Sequence, residues 1–120
     1  MAFRPDLDTT LGRYAQAWNT DDPDARWSLV HASAAPGVVY IDPHSEKPVQ
    51  GQAALASFMA LFREQVGWAF SFVGAPDGHH DRVRVRWRLT DAGGIETDGL
   101  MVATLDREAR LVEIIDFVDG

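Results

Sequence analysis

The sequence predicts an α+β fold, with three helices in the N-terminal half packed on a curved antiparallel β-sheet. Two observations give the elements. Apolar residues recur at helical spacing up to about His31 and again from Gly51 to Val66. From Trp68 onward they alternate instead, as in half-buried strands. The third observation is length: 120 residues enclose one core, so both patterns belong to a single domain, 1–120.

In the first helix Leu7, Leu11, Tyr14, Ala15 and Trp18 share a face, with Asp6 and Asp8 where the helix dipole favours anions. Asn19 to Pro23 interrupts it. Asp22 is the expected N-cap of a second helix, with Pro23 in its first position. That helix runs through Trp27 and Val30 to about His31, and Ala34-Ala35-Pro36-Gly37 ends it. Val38 to Asp42 reads as a short strand stopped by Pro43, and His44 to Gln50 as a loop with room for a small returning strand. Leu55, Phe58, Met59, Phe62 and Val66 form the stripe of the third helix. Then Trp68, Phe70 and Phe72 alternate before a turn expected at Pro76-Asp77-Gly78. Val83, Val85, Trp87 and Leu89 alternate with Arg82, Arg84, Arg86 and Arg88. Asp91-Ala92-Gly93 reads as a hairpin loop, with Gly93 left-handed. Ile95–Leu105 and Leu111–Val118 complete the sheet.

Pairing across these turns sets Arg88 opposite Glu96 and Arg86 opposite Asp98, both opposite-charge pairs. It puts Val83, Val85 and Trp87 on one concave face with Thr97, Gly99, Met101, Val112, Ile114, Asp116 and Val118, and sets Asp116 opposite Gly99. The outer face carries the arginines at one end and Leu100, Val102, Leu111, Ile115 and Phe117 at the other. That apolar patch predicts a homodimer through Leu100, Val102, Ile115 and Phe117.

Composition narrows the function. The net charge of -7 disfavours nucleic acid and anionic membranes as partners. The absence of cysteine excludes disulfides, thiolate metal sites and a cysteine nucleophile. No apolar run is long enough to span a membrane, and Met1 to Asp6 holds no signal-peptide core. A cytoplasmic protein without a C-terminal tail is expected. Phosphate-binding loops and Gly-x-Ser-x-Gly elbows are absent from the sequence.

The order helix, helix, short strand, long helix and four strands resembles the cone-shaped fold of nuclear transport factor 2, ketosteroid isomerase and the SnoaL-like polyketide cyclases. Arg13 to Asn19 with Asp21-Asp22-Pro23-Asp24, Tyr40-Ile41-Asp42-Pro43 with Gly51 and Leu55-Phe58-Phe62, and Leu111 to Phe117 carry the resemblance. It implies a small-molecule protein, and comparison with ketosteroid isomerase implies Asp42 as general base and Tyr14 as oxyanion donor. The position of that enzyme's second donor, a protonated Asp, is Met101 here, which donates no hydrogen bond.

Candidate chemistry then rests on Asp42, Tyr14, His44 and Asp116. Asp42 is a base facing an apolar cavity, or the cap of a strand-ending turn. Tyr14 donates to a substrate oxygen, or is a core tyrosine. Asp116 pairs with Asp42 as acid and base, supports a histidine or tyrosine, or slips in register and faces water. His44 is a proton shuttle at the mouth. His31 reads as a charge at a helix C-terminus. His79, His80 and Asp81 lack further ligands at known spacing, so neither metal nor cofactor is expected. Trp27 and most other aromatics read as core. Trp18, Tyr40, Phe58, Phe62, Trp68, Phe70, Trp87, Gly99, Met101, Ile114 and Val118 are the expected lining of a pocket for a small apolar or aromatic ligand. The expected activity is a cofactor-free isomerase or cyclase moving a proton beside a carbonyl. The alternatives are a non-catalytic ligand-binding or dimerisation domain and a dehydratase or epoxide hydrolase using Asp116.

Overall fold

Helices α1 (Leu7–Asn19), α2 (Pro23–Ser33) and α3 (Gln52–Gln65) pack on a six-stranded mixed sheet. Its strands are β1 (Ala34–Ile41), β2 (Val49–Gln50), β3 (Ala69–His79), β4 (Arg82–Thr90), β5 (Glu96–Leu105) and β6 (Leu111–Val118). The spatial order is β2-β1-β6-β5-β4-β3. This computed structural model describes residues 6–119. The N-terminal reading of Met1 to Pro5 therefore lies outside the described residues, as does Gly120. No helix among them is long and apolar enough to cross a membrane.

Periodicity decides the helices. α1 buries Leu7, Leu11, Tyr14 and Trp18 along one stripe, together with Thr10 and Ala17. Asp22 caps α2 by accepting from the Asp24 backbone N–H at 3.1 Å, and Pro23 occupies the first turn. α2 buries Arg26, Val30 and Ser33. Arg26 is 4% exposed because its guanidinium caps the end of α1: Nε donates to the Ala17 carbonyl at 3.1 Å and NH2 to that of Thr20. Trp27, expected in the core, is instead 45% exposed, on the outer side of α2 beside His31.

Several sequence boundaries shift. The residues Ala34 to Gly37 begin β1 rather than merely ending α2, with a bulge before Val39 that leaves Pro36 and Gly37 exposed. Pro76-Asp77-Gly78 lies inside β3, where a bulge between Val73 and Asp77 absorbs Gly74 (φ +78°) and Pro76. The turn falls at His80-Asp81, with His80 left-handed at φ +55°. The next loop is longer than expected. Thr90 pairs with Glu96, Gly94 rather than Gly93 is left-handed, and the Asp91 carboxylate accepts from the Gly93 and Ile95 N–H groups at 2.9 Å. Arg88 therefore sits opposite Asp98, and Arg86 opposite Leu100.

A second offset of two residues arises between β5 and β6, where Asp116 pairs with Met101 and Gly99 with Val118. A shift of two keeps every side chain on its face. The exception is the start of β6. An irregularity between Thr104 and Leu105 turns Leu111 inward, fully buried, where the sequence placed Val112.

Candidate active site

A cavity of about 520 Å³ opens between α1, α3 and the concave face of the sheet. Trp18 of α1, Phe58, Phe62 and Val66 of and just after α3, and Phe70 of β3 make the apolar side. Tyr40, Asp42, Pro43 and His44 line the end of β1, and Trp87, Leu89, Thr97, Asp116 and Val118 line the sheet. Trp68 completes the wall. The volume lies in the range of small-molecule sites.

The parallel pairing of β1 with β6 explains how the two carboxylates meet. Tyr40 pairs with Ile114 and Ile41 with Ile115, so the next residue along, Asp42, falls level with Asp116. Both line the cavity. Their surroundings differ. Asp42 Oδ2 accepts from the Tyr40 hydroxyl at 2.7 Å, and Oδ1 accepts from the backbone N–H groups of His44 (2.7 Å) and Ser45 (2.8 Å). Asp42 thus both faces the cavity and caps the turn after β1. Asp116 is 9% exposed, and its Oδ1 has no hydrogen-bond partner among the described residues.

Burial is the main force on Asp116 and raises its pKa to about 7; the Tyr40 hydroxyl opposes this, the charge of Asp42 adds to it, and the Trp87 indole opposes it. Tyr40 is held well above its ordinary value, first by burial and then by the charge of Asp116. Its hydroxyl therefore stays a donor through the neutral range.

Tyr14 is buried behind this wall rather than in it, in ring contact with Trp18, Phe70 and Phe72 at 6.2–6.3 Å. Burial, then the charge of Asp116, pushes its pKa well up, and the Trp18 indole N–H beside its hydroxyl opposes this. Gly99, Met101 and Ile114, expected in the lining, are buried beneath it. The Trp87 ring covers Gly99, where a Cβ would overlap both the indole and the Phe117 carbonyl oxygen. Met101 and Ile114 sit on the concave face but are fully enclosed by the core. His44 stands exposed at the mouth. His79 and His80 are remote from the cavity, their Nδ1 atoms 2.9 Å apart on an exposed turn. Among the described residues no three His, Asp or Glu side chains gather as a metal site.

Sequence reasoning did not count Pro43, Val66, Leu89 or Thr97 in the lining. Leu89 and Thr97 share the face of Trp87, and Val66 ends the α3 stripe, so periodicity held the signal for all three. It also counted Trp18 and Trp87 as apolar wall, although their indole N–H groups lie beside Tyr14 and Asp116 and act on their titration.

No curated protein matches the sequence significantly. Among solved structures, a SnoaL-like family protein of Agrobacterium tumefaciens str. C58, provisionally named an isomerase, shares 31% identity over 98% of this chain and 100% of its own, with a TM-score of 0.85. A provisionally named SnoaL-like polyketide cyclase of Jannaschia sp. CCS1 shares 17% identity, covering 99% and 91% of the two chains, at a TM-score of 0.70. A provisionally named ketosteroid isomerase of Kribbella flavida DSM 17836 shares 18% identity, covering 96% and 81%, at 0.72. The last two show the fold. Residues 11–120 match the SnoaL-like domain, and the chain belongs to that family.

Proposed function

We propose that the protein is a cofactor-free isomerase or cyclase that moves a proton on carbon beside a carbonyl, with Asp116 taking the proton. One observation carries this reading: a buried carboxyl on the wall of an apolar cavity, with an unpartnered oxygen and a pKa raised to about 7. A base with its pKa near the working pH serves general-base catalysis best. Asp42, already accepting from three donors, acts here mainly by raising the basicity of Asp116 through its charge. His44 exchanges the proton with water at the mouth, and Tyr14 stands behind the wall without touching substrate. The provisional isomerase name of the Agrobacterium relative supports the same class of reaction.

The test is hydrogen–deuterium exchange at the α-carbons of 2-tetralone in D2O, followed by proton NMR. Wild-type protein is expected to accelerate exchange, with a rate that rises through about pH 7 as Asp116 ionises. Asp116→Asn is expected to lose about a hundredfold or more. Full activity in that variant overturns the assignment. Wild-type protein that binds the ketone but exchanges none of its protons replaces the enzymatic reading with a ligand-binding one.

We also propose a homodimer through the outer ends of β5 and β6, and a cytoplasmic location with which the cysteine-free composition is compatible. Leu100 pairs with Phe117 and Val102 with Ile115 on that face, and Phe117 is 54% exposed. Light scattering at micromolar concentration reads the assembly directly, and a monomer overturns it.

A further inference from the structure

We propose that Gly99 and Trp87 are positioning residues for Asp116: the absence of a side chain at 99 lets the Trp87 indole cross β5, and its N–H then orients the Asp116 carboxyl in the cavity wall. The inference deepens the proposed function and rests on it for the role of Asp116 as the base. Its test reads the carboxyl without substrate, so the two readings fail separately.

Gly99 stands inside β5, an interior strand of the sheet, where glycine weakens the strand and often marks a close approach by another group. Its backbone does not call for glycine. The left-handed glycines are Gly51, Gly67, Gly74 and Gly94, and Gly99 is not among them. Space calls for it instead. A Cβ there would overlap Cζ2 and Cε2 of the Trp87 indole and, from β6, the Phe117 carbonyl oxygen.

The overlapping atoms show where the ring goes. Cε2 is the indole carbon that carries Nε1, so the N–H edge of Trp87 lies over β5. Trp87 pairs with Gly99 and Gly99 with Val118, and Asp116 is the neighbouring residue of β6 on the same face. β4 and β6 stand roughly 10 Å apart across β5, so a side chain reaches from one toward the other only as a long ring laid over the middle strand. Phe70 stacks on that ring with centroids 6.2 Å apart, and Trp87 is buried. The indole N–H lies beside the Asp116 carboxyl and favours its charged form. The other titratable groups around this carboxyl are Tyr40 and Asp42 at the end of β1, Tyr14 of α1, and His44 at the mouth. Among the described residues no Lys or Arg lines the cavity. Burial and Asp42 both favour the neutral acid, so the Tyr40 and Trp87 donors keep the base form within reach of neutral pH.

Carbon NMR of aspartate-labelled protein follows the Asp116 carboxyl as pH is varied, its signal assigned by its absence from Asp116→Asn. Wild-type protein is expected to titrate at about 7. The Trp87 indole proton, assigned through its contacts with Phe70, should move with the same midpoint. Trp87→Phe keeps a ring and removes the N–H, so the carboxyl midpoint should rise by about one pH unit, a tenfold gain in proton affinity. Gly99→Ala displaces the indole and should raise the midpoint as well. The double variant should match Trp87→Phe alone, because Gly99 acts through the ring. The pH profile of 2-tetralone exchange should move upward with the carboxyl. An indole proton that ignores the carboxyl, or a midpoint that stays or falls in Trp87→Phe, overturns the proposal. A further rise in the double variant overturns the part assigned to Gly99. Should Gly99→Ala not fold, the wild-type indole titration and Trp87→Phe carry the test. Coupled titration without proton exchange keeps the positioning and removes the enzymatic reading; exchange with an unmoved midpoint in Trp87→Phe does the reverse.

Discussion

The two faces of the sheet put the same chemical group, an aspartate carboxyl, in opposite situations. On the outer face Arg84 pairs with Asp77 at 2.8 Å, Arg86 with Asp119 at 3.2 Å, and Arg88 with both Asp98 (2.8 Å) and Glu96 (2.7 Å). There the hydrogen bond from Arg88 holds the Asp98 carboxyl below its ordinary range. On the concave face Asp116 has a neighbouring carboxylate, no cation against it, and an oxygen without a partner. Its affinity for a proton moves the other way. Strand alternation puts the two environments one residue apart along the chain, since Phe117 and Ile115 point outward on either side of Asp116. A paired, hydrated carboxylate has little chemistry left to offer, whereas a dry, unpaired one retains it, at a cost to the fold.

That cost gives the larger prediction. The carboxyl of Asp116 titrates at about 7 in the fold and at about its ordinary 3.8 in the unfolded chain. The folded state therefore binds the proton more tightly. Below 3.8 both states are protonated and Asp116 costs nothing; between 3.8 and about 7 the unfolded chain ionises while the fold keeps its proton, so stability falls across that interval and the loss is complete above 7. The interval corresponds to roughly 4 kcal/mol as an upper bound. Asp116→Asn removes that loss, so its melting temperature should exceed wild type by several degrees at pH 8, with the gap closing toward pH 4. Equal melting temperatures across that range would mean that the carboxyl is solvated and that the contrast between the faces does not exist. Greater stability with lost exchange activity is the trade expected of a functional group.

Much of this was legible from alternation alone, and the reason is specific. The expected registers of β4 with β5 and of β5 with β6 were each off by two residues, because the loop from Asp91 to Ile95 and the turn and irregularity between β5 and β6 each hold more residues than their patterns suggest. A two-residue error preserves side-chain direction, so Trp87 and Asp116 still landed on the concave face. Leu111 did not survive the same test, since the bulge beside it changes the count by one. What no local pattern displays is the parallel pairing of β1 with β6, which joins residues more than seventy positions apart and sets Asp42 beside Asp116. Arg26 was illegible for a related reason: its partners are carbonyls at the end of another helix, and backbone groups leave no mark in sequence. Tyr14 carried the family's resemblance, yet the rings of Trp18 and Phe70 stand between it and the cavity.

The smaller effect sharpens the comparison from the outer side. Arg88 holds two carboxylates, so by contact counting it would rank as an important residue. Its side chain is nevertheless 38% exposed, and those of Glu96 and Asp98 are 49% and 42% exposed. Water and salt already stabilise such charges, and ordering three long side chains offsets what the pairing contributes. Arg88→Ala should therefore change the melting temperature by a small fraction of what Asp116→Asn does at pH 8. The midpoint of the exchange profile should stay near 7, because the sheet and its outer solvent layer separate Arg88 from Asp116. A midpoint that moves on removing Arg88 would show that the outer charges reach the cavity, and Asp116 would then owe its basicity to the whole sheet rather than to burial and Asp42.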